Sequence, residues 1–165
     1  MKNIYLNIFS FNKNTLNKTI KCLKKNNIVA LPTETVYGLA GNAYSKIAAK
    51  KIYKIKKRPK INPLIVHYFN LESAKKDIIL NESFLKLYKK FCPGPLTFIL
   101  KKKKNSKIRS IVSANLNTVA VRFPNHKIIR SILKKINFPL AMPSANMSSN
   151  VSPVTAEDVV DEFKN

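Results

Sequence analysis

Glycine is nearly absent from this sequence: Gly38, Gly41 and Gly94 are the only three in 165 residues. A Walker A loop is thereby excluded, and any phosphate binding must come from side chains and strand-end amides. Cysteine is just as scarce. Cys22 and Cys92 stand in unrelated contexts with no C-x-x-C or Cys/His cluster, which excludes a disulfide framework and a zinc site of that kind and fits a reducing cytoplasm. Nowhere do 18 apolar residues run together, so no membrane span is expected. The opening stretch MKNIYLNIFSFNKN lacks the apolar core and cleavage site of a signal peptide. Acidic residues are few as well: eight, against 31 Lys and Arg, for a formal net charge of +23. Four of the eight, Glu157, Asp158, Asp161 and Glu162, crowd the C-terminal end, and the chain ahead of them carries 30 bases and 4 acids.

What is present bounds the answer. The length suits one domain with one core, and 45% hydrophobic residues make that core feasible. The positive field attracts anions such as nucleotide phosphates, RNA or anionic lipid. The same richness in Lys, Asn and Ile also follows from drift in genomic base composition. The charge therefore permits a polyanion partner without naming one.

Helical and strand patterns alternate along the chain. Residues 15–26 read as an amphipathic helix with Leu16, Ile20 and Leu23 inward, and Ile28 to Leu31 as a short buried strand stopped by Pro32. Ser45 is placed to cap a helix through Lys57, with Ile47, Ala48, Ile52 and Ile55 inward. Pro63 opens a strand from Leu64 to Tyr68. A helix over 82–91 buries Phe84, Leu85, Tyr88 and Phe91 and is ended by Cys92-Pro-Gly-Pro95. Strands follow at 96–100, 118–122 and 140–142, with a helix over 126–136 before the last of them. Thr155 and Asp158 form a capping box for a final helix. The run Lys101–Lys104 reads as a solvated loop. One α/β domain results, with strand order open.

Four segments break these patterns by placing polar groups at strand ends, where open α/β sheets bind ligands. They contain Thr33, Glu34 and Thr35; Lys56, Arg58, Asn62 and His67; Thr118 and Arg122, four apart and so on one face of a strand; and Ser144 and Asn146. The donor-rich set Lys56, Arg58, His67 and Arg122 suits phosphates and a carboxylate, which Arg grips bidentately. Thr35, Asn62, Ser144 and Asn146 are suited to orienting a small polar substrate. Each residue also has a bland account: loop satisfaction for the threonines, a surface charge for Arg122, a core histidine for His67, a turn for Ser-Ala-Asn. Composition and spacing alone yield an anion-binding α/β domain.

The segments LPTETVYGL (31–39), KKRPKINPLIVH (56–67), CPGPLTFIL (92–100), TVAVRFPNH (118–126) and PSANMSSNVSP (143–153) occur in the order and near-spacing of the YrdC family, which the chain resembles over nearly its whole length. The resemblance implies the YrdC-like α/β fold: a twisted mixed sheet with surrounding helices and a concave basic cavity, as a single domain over 1–165. It implies the threonylcarbamoyl-AMP synthase reaction, in which L-threonine, bicarbonate and ATP give threonylcarbamoyl-AMP and pyrophosphate, with Mg2+ as the expected metal. A partner transferase then modifies adenosine 37 of tRNA. Residue by residue, the resemblance puts Thr35, His67 and Arg122 on the threonine side. It puts Lys56, Arg58, Asn62, Thr118, Ser144, Asn146 and Ser152 on the ATP side. No acid/base residue is required. Arg58 and Arg122 are expected to line a wet cavity, so that their loss leaves the fold intact.

Two departures stand out. Met142 occupies a position that is small or hydroxylated in many relatives, and the chain stops at Asn165, short of the family's last strands, leaving the site expected to be open on one flank. A non-catalytic tRNA- or double-stranded-RNA-binding module of the same fold is the alternative. A carbamoyl-transfer domain of the hydrogenase-maturation type is a third reading, weakened by the lack of a flanking acylphosphatase or zinc-finger region.

Overall fold

The computed structural model describes residues 7–164. Its helices begin where short polar side chains can take the first free backbone N–H groups. Asn12 starts α1 (Lys13–Lys24) by accepting from the N–H of Asn14 and Thr15, while Thr15 Oγ1 accepts from the Asn12 N–H. Ser45 caps α2 (Lys46–Ile55), Asn70 caps the short α3 (Leu71–Ala74) and Asn81 caps α4 (Glu82–Phe91). His126 caps α5 (Lys127–Leu133), and the Thr155–Asp158 box caps α6 (Ala156–Glu162). The strands are β1 (Val29–Leu31), β2 (Gly38–Asn42), β3 (Val66–His67), β4 (Thr97–Lys101), β5 (Thr118–Arg122) and β6 (Leu140–Ala141).

The expected inward face of α2 is corrected by the structure. Ile47 and Ile55 are 59% and 39% exposed, whereas Ala48, Ala49, Ile52 and Tyr53 are buried. The small residues decide this. Ala48 and Ile52 close on Gly41 of β2, where an added Cβ would lie 3.3 and 3.2 Å from them. A seam through 45, 49, 52 and 56 at helical spacing then carries Lys56 to the inner face. In α4 the seam likewise runs through Phe84 and Tyr88 to Cys92, so Phe91, expected inside, is 44% exposed. The basic run starts as strand rather than loop, since Lys101 belongs to β4 and Lys102 bridges Ile78.

One six-stranded mixed sheet results, in the order β1-β2-β6-β3-β5-β4. Only β3 and β5 are parallel, with Val66 beside Val121 and His67 beside Arg122, and every other neighbouring pair is antiparallel. Helices α1 and α5 pack Leu16, Leu23, Ile129 and Ile132 on one face around Leu140. On the other face α2 and α4 pack against Val66, Phe98, Val119 and Val121. The first face is covered only over its β1-β2-β6 half. On the remaining flank Thr118, Ala120 and Arg122 are half-buried and Ile99 is 70% exposed. The start of β2 runs close to the segment that follows β6: Gly38 bridges Ser144, and a Cβ on Gly38 would lie 2.5 Å from Met142 Cγ.

Candidate active site

The parallel pair β3–β5 sends two polar residues to the same end of the sheet. His67 and Arg122 are register partners, each at the last position of its strand, and the 33–36 turn leans over them. Thr33 builds that turn: its Oγ1 accepts from the N–H of Thr35 (3.1 Å) and Val36 (3.2 Å) and donates to the Val36 carbonyl at 2.7 Å. The turn presents Glu34 and Thr35 to Arg122, whose Nη2 donates to Glu34 Oε1 at 2.8 Å and to Thr35 Oγ1 at 3.1 Å. Thr35, His67 and Arg122 are thus brought together, and Glu34 joins them.

The arginine is not a wet surface group. Its side chain is 11% exposed and that of Glu34 is 19% exposed, so the expectation that Arg122 can be lost without harm to the fold is revised. His67 is buried, and burial, followed by the Arg122 charge, pushes its pKa down to about 3. The backbone at Ile65 and Leu140 and the Glu34 charge oppose that shift. At neutral pH the imidazole is uncharged beside a cation. Burial also pushes the Glu34 carboxyl up, but the hydrogen bond and charge of Arg122, with the backbone N–H groups of Glu34 and Asn125 nearby, hold it below its ordinary value.

A second group gathers where α2 ends against the loop after β6. Lys56 is 1% exposed, and its Nζ donates to the Ser144 carbonyl at 2.7 Å and to the Asn146 carbonyl. The Ser148 N–H returns to the Lys56 carbonyl at 3.0 Å. Burial, then Arg58, push the ammonium down to about 8, against the pull of Glu162. Arg58 folds over the 62–63 backbone, Nε on the Asn62 carbonyl and Nη2 on that of Pro63, both at 3.1 Å. Asn146 Nδ2 donates to the Met147 and Asn150 carbonyls, and Glu162 accepts from the Met147 N–H and the Asn150 amide. Thr118 lies at the opposite end of β5 from Arg122, four residues or about 13 Å along the strand. Ser152 sits in the loop that passes Tyr37, whose N–H donates to the Pro153 carbonyl at 2.9 Å.

Lys56 therefore braces the turn that carries Ser144 and Asn146. Lys56→Met removes the donor to two carbonyls and is expected to lower unfolding stability by about 2 kcal/mol, measured by urea denaturation.

Five buried side-chain polar atoms have no hydrogen-bond partner among the described residues: Glu34 Oε2, His67 Nδ1, Arg122 Nε, Asn146 Oδ1 and Ser148 Oγ. All five belong to these two groups. Buried polar atoms are ordinarily paired, so these five are atoms that an ordered water or a polar ligand would satisfy. Two cavities lie elsewhere in the fold. One of about 690 Å³ sits between α1, β1, α5 and α6, and one of about 140 Å³ lies beside Tyr44 and Phe138. Neither includes a residue of the two groups.

A sequence profile described as "Telomere recombination", that of Sua5, YciO and YrdC, matches residues 21–165. The chain belongs to this family. Over 143 residues it is 43% identical to a threonylcarbamoyl-AMP synthase of Bacillus subtilis, a match covering 86% of this chain and 41% of that one. It is 34% identical to a putative threonylcarbamoyl-AMP synthase of Methanocaldococcus jannaschii, covering 96% of this chain and 75% of the relative. The crystal structure of Pyrococcus abyssi Sua5 complexed with L-threonine superposes with a TM-score of 0.89 at 36% identity, covering 94% of this chain and 45% of that one. The chain thus spans about two-fifths of the Bacillus relative's length. A HypF structure at 24% identity and a TM-score of 0.82 shares the fold.

Within this family fold the sequence singled out Thr35, His67 and Arg122, which the structure brings together, but not their bracing. Glu34 lies between two threonines that drew attention for their hydroxyls, and its carboxylate between Thr33 and Thr35 was the available signal. Ser148 and Glu162 carried none, because their roles come from the way α6 returns to the 146–150 loop. The hydrogen-bond donors near the site, Lys56, Arg58 and Arg122 among them, suit phosphate oxygens. No group of three or more His, Cys, Asp or Glu placed to hold a metal occurs among the described residues. No helix among them is long and apolar enough to cross a membrane.

Proposed function

We propose that this chain carries the threonylcarbamoyl-AMP synthase site, condensing L-threonine, bicarbonate and ATP to threonylcarbamoyl-AMP and pyrophosphate. The observation that carries this reading is the gathering of all five orphaned polar atoms into two groups along one sheet. Thr118 lies about 13 Å from Arg122 along β5, a span that suits an amino acid at the Arg122 end and an adenylate at the Thr118 end.

Arg122 takes the threonine carboxylate through its free Nε edge, with Thr35 and the neutral His67 beside it. This orients the amino acid without a general base. The amine forms a C–N bond with bicarbonate carbon, water leaves, and the resulting carbamate oxygen attacks the α-phosphorus as pyrophosphate departs. Negative charge grows on the leaving group, and Arg58, with Asn62, Thr118, Ser144, Asn146 and Ser152 around it, stabilises that charge from the nucleotide side. Lys56 holds the Ser144–Asn146 turn in place. Mg2+ enters with the nucleotide as part of the substrate. The threonylcarbamoyl group then passes to adenosine 37 of tRNA on a partner transferase. A non-catalytic RNA-binding module accounts for the charge of +23 but leaves the orphaned atoms without a purpose.

Pyrophosphate release from ATP tests the reading, with threonine and bicarbonate omitted in turn. Release should require both, and threonylcarbamoyl-adenylate should be detected by its mass. Release indifferent to threonine overturns it.

A further inference from the structure

Glu34 and Arg122 form a pair in which each partner has one edge used and one edge spare. Glu34 Oε1 takes Arg122 Nη2 at 2.8 Å, while Oε2 is buried with no partner among the described residues. Arg122 spends Nη2 on Glu34 and on Thr35 Oγ1, while its Nε is buried and equally without one. The spare acceptor demands a donor and the spare donor demands an acceptor, and both belong to one ion pair. His67 adds a third spare atom, Nδ1, beside Arg122 in the sheet register.

We propose that Glu34 Oε2 receives the amino group of the amino-acid substrate, so that the Glu34–Arg122 pair reads both ends of an α-amino acid. This rests on the assignment of the Arg122 end to threonine. An α-amino acid carries its acceptor and its donor on one carbon, which matches two spare edges held by one pair. Its side-chain hydroxyl then meets the neutral His67 Nδ1, which can accept. The Thr33 hydroxyl fixes the turn on both sides of Glu34, so the carboxylate is held in place before the ligand arrives. The role is in binding and orientation, and no bond-making step is assigned to Glu34. Glu34 touches substrate in this arrangement, which separates it from a residue that merely steadies Arg122.

Calorimetric titration of the wild type and Glu34→Gln with two ligands separates those roles: L-threonine, and 3-hydroxybutanoate, which is threonine without the amine. The amide keeps the side-chain shape but turns one carboxylate oxygen into a donor. The wild type should prefer threonine. In Glu34→Gln, threonine affinity should fall about tenfold to a hundredfold, as expected for loss of a charge-assisted hydrogen bond, while 3-hydroxybutanoate affinity changes little. Equal weakening of both ligands would overturn the proposal and leave Glu34 as a brace for Arg122. A wild type that binds neither ligand removes the threonine assignment itself and the proposal with it.

Discussion

Arg122→Met should lose stability and threonine binding together, and a second substitution should separate the two losses. The methionine leaves the Glu34 carboxylate, 19% exposed, without its cation. Removing one partner of a largely buried pair is costly because the other charge stays desolvated, so unfolding stability should fall by about 3 kcal/mol. Replacing both partners removes the stranded charge, and Arg122→Met with Glu34→Leu should recover most of that loss. Threonine binding should not recover, since the carboxylate has lost its guanidinium in both variants. Urea unfolding and calorimetry of the single and double variants test this. A single variant as stable as the wild type would show that the pair contributes nothing to the fold. Recovered threonine binding in the double variant would remove Arg122 from the site.

Acid should destabilise the protein through His67 before Glu34 begins to titrate. The folded-state pKa is lowered to about 3 from an ordinary 6.5. Between those values the unfolded chain binds a proton that the folded chain refuses. The stability from the neutral imidazole is therefore complete above pH 6.5 and is lost as pH falls toward 3. The slope is at most about 1.4 kcal/mol for each pH unit. Glu34, held below its ordinary 4.5, acts in the same direction but only at lower pH: its contribution is present above 4.5 and disappears as pH falls through its depressed value. The interval from 6.5 to 4.5 therefore isolates the histidine from Glu34. His67→Gln should flatten stability against pH across that interval, whatever its effect on stability at neutral pH. An unchanged slope in the variant would mean that His67 is not held neutral by burial and by the Arg122 charge.

The bounds of α4 and β5 and the caps of α2 and α6 were legible in the sequence because each depends on residues within a turn or two. Ser45 does not need the rest of the chain to start a helix, and two prolines with a glycine suffice to end one. The polar residues at strand ends were legible for a similar reason, since they interrupt an apolar pattern locally. What the sequence could not reveal is long-range. β2 is built from Gly-Leu-Ala-Gly-Asn, without the β-branched residues that advertise a strand, and it exists because β1 and β6 flank it. The turn of α2 that exposes Ile47 and buries Lys56 was decided by Gly41, whose missing Cβ lets Ala48 and Ile52 approach. The Glu34–Arg122 pair joins residues 88 apart, and Lys56 meets Asn146 across 90. By itself the sequence determined which side chains were available to hold an anion and an amino acid. The tertiary structure alone decided which of them were buried, paired and left with a spare edge, because burial and pairing are properties of surfaces that meet only after the chain has folded.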